Sequence, residues 1–314
     1  MKLRRFLDAS GVEEQSGGWL ATHTEDKRAQ LKEEEVRDEE IMTLLSQIDF
    51  DYINQILRAE CKKAGSDVLD DLSIDKKTFF LMKKADDCGL AEHHFISRLI
   101  ELFPENIRKK AIAHGVELKT LLLFTIFHEI VHAYSFTDVR GAKELIESGA
   151  TGNIIKEMFV FWRREKEKQM VGVHGYKKEI VTGGSRLSDK AERGLLEKQT
   201  ECELFDEGVT NKLALEFLKR YRQFHPGSIS KIELDKLFNA FCSSDNMEVD
   251  SKATRLVNEV INDISRESMV DVNTVWQAIK RGKLGVENIH DEETAKIMQA
   301  ELSPDVYAKI RRRV

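Results

Sequence analysis

His128 and His132 stand four residues apart, with Glu129 directly after the first, in the stretch TIFHEIVHAYS from Thr125 to Ser135. On a helix, positions i and i+4 lie about one turn apart on the same face. Two imidazoles so placed can aim at one ion, and zinc accepts imidazole nitrogen at about 2.0–2.1 Å. Glu129 is displaced by one residue, so it flanks the ion instead of capping it. From there its carboxylate can take a proton from a zinc-bound water. Zinc lowers the pKa of that water to about 7, and the hydroxide attacks a polarised carbonyl. The chemistry this spacing describes is amide hydrolysis without a covalent intermediate.

The surroundings favour that reading over a chance match. Leu121, Leu122, Leu123, Phe124, Ile126 and Phe127 precede the pair, and Ile130 and Val131 fill the variable positions. A helix that is apolar on most sides is a buried helix. Burying two histidines and a glutamate without partners costs on the order of several kcal/mol. A metal resolves that cost. The competing reading is a structural polar cluster on a core helix.

A hydrolytic zinc needs a third protein ligand and an open position. Two residues qualify. Asp138 follows in HEIVHAYSFTD, at the distance where metzincin-like enzymes place their last ligand, but Ser135 stands where those enzymes use glycine to turn back to the metal. Glu207 lies in ELFDEGVTNKLALEFL, a helical pattern with Leu204, Phe205, Val209, Leu213, Leu215, Phe217 and Leu218 as apolar positions. Gly208 beside it clears space for whatever Glu207 approaches.

HEIVH at 128–132, followed by FDEGVT at 205–210, resembles the gluzincin metallopeptidases, and most of all the small minigluzincin type. The resemblance spans roughly residues 70–225 and rests on these two short motifs. It implies His128, His132 and Glu207 as zinc ligands, Glu129 as general base, and a zincin-like core. It also implies that the residue four positions after the ligand glutamate orients a ligand histidine. Here that residue is Asn211, an uncharged acceptor where such families often have an acid, with Asp206 as a substitute. For the oxyanion, such enzymes use Tyr or His donors; Tyr176 and His174, in VGVHGYKKE, are the candidates. Tyr134, on the HEIVH helix, points into packing. Two departures stand out: residues 141–200 lengthen the gap between the motifs, and no Gly-x-Met-Glu-Asn segment precedes HEIVH.

The elements that must position these residues are mostly helical. The chain of 314 residues has 41% hydrophobic and 33% charged residues, with only 3 Pro and 18 Gly, which disfavours a loop-rich all-β fold. Residues 25–47 read as a charged, solvated helix, with a second helix through Ile53, Ile56 and Leu57 ending near Gly65. KKTFFLM at 76–82 reads as a strand, HHFISRLIELF as helix or strand closed by Pro104, and Gly115 precedes the HEIVH helix. Residues 141–168 read as one or two helices, 171–188 as a β-hairpin, and helical pattern resumes near Asp189. Helices follow from Ser228 on, with FHPGSIS at 224–230 as a boundary. The expectation is a predominantly helical α+β protein in three parts: a charged helical region over 1–68, a zincin-like metallopeptidase core with a small sheet over 69–225, and a helical region over 226–314.

A net charge of −6 argues against a general nucleic-acid partner. Cys61, Cys88, Cys202 and Cys242 include no CxxC pair and read as free thiols of a reducing compartment, although Cys88, in DDCGL, has a thiol that could block a zinc site. No apolar run is long enough to span a membrane. Together these predict a cytoplasmic zinc peptidase acting on peptides or one protein, with the C-terminal helices free to bind a protein partner. The alternative is a catalytically inactive member of the same fold that serves as a binding module; the intact Glu129 disfavours it.

Overall fold

Two aspartates start the first well-packed helices. Asp38 accepts a hydrogen bond from Ile41 N (3.1 Å) and Asp49 from Tyr52 N (2.9 Å), each satisfying an orphan donor of a first turn. The computed structural model describes residues 25–64, 73–83, 89–94, 99–135, 137–140, 169–174, 176–182, 198–242 and 249–284. Helix α1 covers residues 25–34, α2 is Glu39–Ser46 and α3 is Phe50–Lys63. The single helix expected over 25–47 is therefore broken at 35–38. There Val36 N donates to Leu81 O (2.7 Å), so a sheet edge takes a backbone group that a continuous helix would have used.

A short 3-10 turn, Lys76–Thr78, leads into β1 (Phe79–Leu81). With β2 (Ala91–His93) and β3 (Ile100–Leu102) it makes a three-stranded sheet of order β1-β3-β2. Phe79 pairs in parallel with Ile100, and Ala91 pairs antiparallel with Leu102. Pro104 opens α4 (Pro104–His114) rather than closing the element before it, because proline suits the first helical position, where no N–H is needed. Gly115 ends α4 with φ 61°, the left-handed cap that glycine adopts without a Cβ penalty.

Helix α5 (Leu118–Tyr134) carries the HEIVH stretch, runs through the core and lies against edge strand β2. Its first turn is capped from outside: Glu117 N donates to Glu233 Oε2 (2.6 Å). A second sheet follows, formed by β4 (Thr137–Arg140), β5 (Gln169–His174), β6 (Lys177–Thr182) and β7 (Lys198–Glu201), antiparallel in that order. The expected hairpin is β5–β6, with His174 opposite Lys177. Helical pattern was expected from Asp189 on, but 198–201 is a strand, since Lys198 to Glu201 pair with β6. The helix begins only after Cys202, whose φ of 61° turns the chain. The segments 141–168 and 285–314 lie outside the described residues.

Helix α6 (Glu203–Phe224) crosses α5 and α8, with α7 (Lys231–Cys242), α8 (Val249–Ser268) and α9 (Val272–Leu284) completing the fold. At Gly208 a Cβ would stand 2.1 Å from the carbonyl oxygen of Ala253, so the α6–α8 crossing is set by a glycine. One apolar cluster joins Ile41 and Leu57, Ile100 and Leu102, Phe127 and Ile130, Val209 and Phe217, and Ile264 and Ile279. The sequence regions 1–68, 69–225 and 226–314 all contribute to it, and the turn at 225–230 connects two helices of that shared core. The described protein is mostly helical with small sheets. Among the described residues no single helix is long and apolar enough to cross a membrane.

Candidate metal centre

Every residue from Thr120 to Ser135 is buried except His128 and His132, which are partly open. Beyond its first two residues, the helix thus reaches solvent only through its two imidazoles. The i, i+4 spacing brings them together edge to face, with ring centroids 4.8 Å apart and Nε2 atoms 3.1 Å apart. Opposite them α6 presents Glu207, whose side chain is 32% exposed. Its Oε2 is 3.2 Å from His128 Nε2 and its Oε1 is 3.4 Å from His132 Nε2. Ligand atoms about 2.0–2.1 Å from a tetrahedral centre are about 3.3 Å from one another. The edges are near that value, but the two to Glu207 run to different oxygens; taking one atom from each residue, the three lie within 4.8 Å of one another, near enough to share a metal ion. Among the described residues, this is the group of three that could hold an ion.

Glu129 lies beside the triad. Its Oε1 is 4.0 Å from His128 Nε2, and the residue is buried. Burial pushes its carboxyl pKa up; the charges of His128 and His132 oppose this, and those of Glu207 and Glu92 add to it. Burial would also raise Glu207, but the charge of His132 and hydrogen bonds from both histidines hold it well below the usual range.

Each histidine has a polar group near its far nitrogen. His128 Nδ1 donates to Asn211 Oδ1 (2.9 Å), the residue one turn after Glu207. With Nε2 turned to the triad, Nδ1 carries the proton, and the amide oxygen holds the ring in that tautomer. His132 Nδ1 is 3.8 Å from Asp206 Oδ2. Asp206 is fully buried and accepts from Tyr176 N (2.7 Å) and from Lys283 Nζ at both oxygens (2.7 and 2.6 Å). Asn211 and Asp206 thus stand beside the histidines.

Tyr176 does not face this site. Its ring is fully buried, its hydroxyl donates to Ile279 O (2.9 Å) on α9, and the hydroxyl oxygen lies 2.3 Å from where a Cβ at Gly282 would stand. A phenol committed to a helix carbonyl and closed off from the cleft cannot donate to an oxyanion, so that expectation is corrected. Tyr134 does point into packing, donating to Asn54 Oδ1 (3.0 Å). Asp138 pairs by its backbone with Val173 in the second sheet, and its side chain, like that of His174 and all of Cys88, lies outside the described residues.

Sequence reasoning missed Lys283. A signal existed: Val275, Ile279 and Lys283 follow one another at helical spacing, so a lysine occupies the apolar stripe of α9. A fully buried lysine needs an acid, and Asp206 is that acid.

The fold and site define a mostly helical protein with a His-His-Glu group suited to a metal ion. No family model, curated protein or solved structure matches the chain.

Proposed function

We propose that the protein is a zinc-dependent metallopeptidase with a gluzincin-like ligand set and a zincin-like core. The observation that carries this is the triad, in which one ligand atom from each of His128, His132 and Glu207 lies within 4.8 Å of the others, presented by two core helices. Zinc held by His128, His132 and Glu207 supplies a Lewis acid and an acidified water. Glu129 accepts the proton of the attacking water and delivers it to the leaving amine, a task its position beside the triad allows. Asn211 holds the His128 ring in register through its hydrogen bond, and the Asp206 carboxylate lies 3.8 Å behind His132. Strand β2 is a sheet edge lying against α5, so an extended peptide can add to it through main-chain hydrogen bonds. The reduced thiols of Cys61 and Cys202 suit a cytoplasmic setting.

The test combines metal content and turnover. Protein purified without added metal or chelator is expected to hold about one zinc per chain, and Glu207→Ala to lose it. Glu129→Gln is expected to keep the zinc and lose peptide hydrolysis by about 10²–10⁴-fold. A metal-free parent would sink the centre. Zinc with undiminished hydrolysis in Glu129→Gln would sink the mechanism, and zinc without hydrolysis of a broad peptide library would favour the inactive binding module.

A further inference from the structure

We propose that Lys283, on the last described helix, is a positioning residue for the ligand His132, acting through Asp206. This rests on the metal-centre reading above and extends it to a part of the chain outside the two motifs.

Lys283 and Asp206 are both fully buried, and the ammonium lies 2.7 and 2.6 Å from the two carboxylate oxygens. Oδ1 takes a further hydrogen bond from Tyr176 N (2.7 Å). With Oδ1 doubly engaged, Oδ2 keeps the capacity that faces His132 Nδ1 at 3.8 Å. The lysine does two things there. It supplies the charge that lets a carboxylate sit in the core beside a ligand imidazole. It also fixes the rotation of that carboxylate, and therefore the direction from which its charge faces His132 Nδ1 at 3.8 Å, an electrostatic contact rather than a hydrogen bond. Asp206 immediately precedes Glu207, so the same contact anchors the turn of α6 that carries the third ligand.

The adjacent stripe of α9 provides an internal contrast. Lys280 is also buried, but it pairs with Glu216 (3.4 Å) and Glu60 (3.7 Å), neither of which contacts the triad among the described residues. One lysine only docks the helix; the other docks it and reaches the metal centre. The C-terminal helices, read from sequence as an additional region that could narrow a cleft or bind a partner, thereby reach the metal centre.

The experiment compares zinc affinity, by competition with a chromophoric chelator, and the visible bands of cobalt-loaded protein across variants. Lys283→Met is expected to weaken zinc binding about 10–100-fold and to shift the cobalt bands. Lys280→Met is expected to lower the thermal midpoint while leaving both metal readouts as in the parent. The double variant Asp206→Asn with Lys283→Met removes both buried charges; it is expected to fold and still bind zinc weakly, which keeps the test decisive where Lys283→Met fails to fold. Parent-like affinity and bands in a folded Lys283→Met or in the double variant overturn the inference. So does an equal metal loss in Lys280→Met. A parent that binds no zinc is a different failure, visible before any variant is made, and removes the metal centre with it.

Discussion

His128 Nδ1 donates to Asn211 Oδ1 across 2.9 Å, tying the HEIVH helix to the helix of the third ligand, 83 positions further along the chain. The same amide leaves its Nδ2 buried with no hydrogen-bond partner among the described residues. Asn211→Asp keeps the acceptor, adds charge behind a metal-bound imidazole and removes the orphan donor. It is expected to tighten zinc binding. Asn211→Leu removes the acceptor and is expected to weaken it about tenfold or more. Chelator competition measures both; equal affinities in the two variants would show that the residue does not orient His128.

Gly208 sets two effects against each other. In a helix interior, Gly→Ala favours folding by about 1 kcal/mol through propensity alone. Here the new methyl would lie 2.1 Å from Ala253 O and 2.8 Å from Val257 Cγ2, so α6 and α8 must separate. Forced overpacking of this kind costs about 1–3 kcal/mol or more. Gly208→Ala is expected to lower the urea midpoint, with a loss of zinc affinity as Glu207 moves with the helix. A raised midpoint would mean that the crossing gives way freely.

Met269 ends α8 at φ 52° and is 94% exposed. Val270 N donates back to Ser265 O (3.2 Å), so Met269 occupies the left-handed position of a Schellman cap, where glycine has no Cβ penalty. Met269→Gly gives up no packing and is expected to stabilise the protein by about 0.5–1 kcal/mol. Calorimetry would check it; an unchanged or lower melting temperature would show the strain to be relieved elsewhere.

Acid sensitivity is expected from Glu60, which is 4% exposed and receives Lys63 and Arg220, with Lys280 at 3.7 Å. Burial alone would raise its carboxyl; hydrogen bonds from Lys63 and Arg220 and the charges of Arg220 and Lys280 outweigh that and hold it below the usual range. A lowered folded pKa contributes stability that is present above the unfolded value, about 4.3, and is lost as pH falls through the folded one. The thermal midpoint should therefore drop below about pH 4.3. Glu60→Gln should melt lower at pH 7 and lose less on acidification; parallel pH profiles for the two proteins would exclude this carboxylate as a source of acid lability.

Much of the site could be read from local pattern. Four-residue spacing is enough to bring His128 and His132 together, since helix geometry places i and i+4 together whatever the rest of the chain does. The apolar flanks of both motifs announced buried helices, and α7 occupies the expected KIELDKLFNAFC at 231–242. The strand at 198–201 escaped notice because Lys-Gln-Thr-Glu has little strand character of its own; its partner β6 makes it a strand. Tyr176 looked available because hairpin residues usually face solvent, whereas the packing of Gly282 on α9 draws the ring inward.

What the sequence by itself determined was the donor chemistry: two imidazoles one turn apart, a carboxylate beside them, and two apolar helices able to bury them. Only the tertiary structure decided that Glu207 closes the triad, that Asp206 is shared between His132 and Lys283, and that the C-terminal helices belong to the same core. The physical reason is range. Helical spacing is a property of neighbouring residues, but a buried charge finds its partner, and a glycine its crossing helix, only when elements 40 to 80 residues apart are packed together, as Gly208 with Ala253 and Asp206 with Lys283.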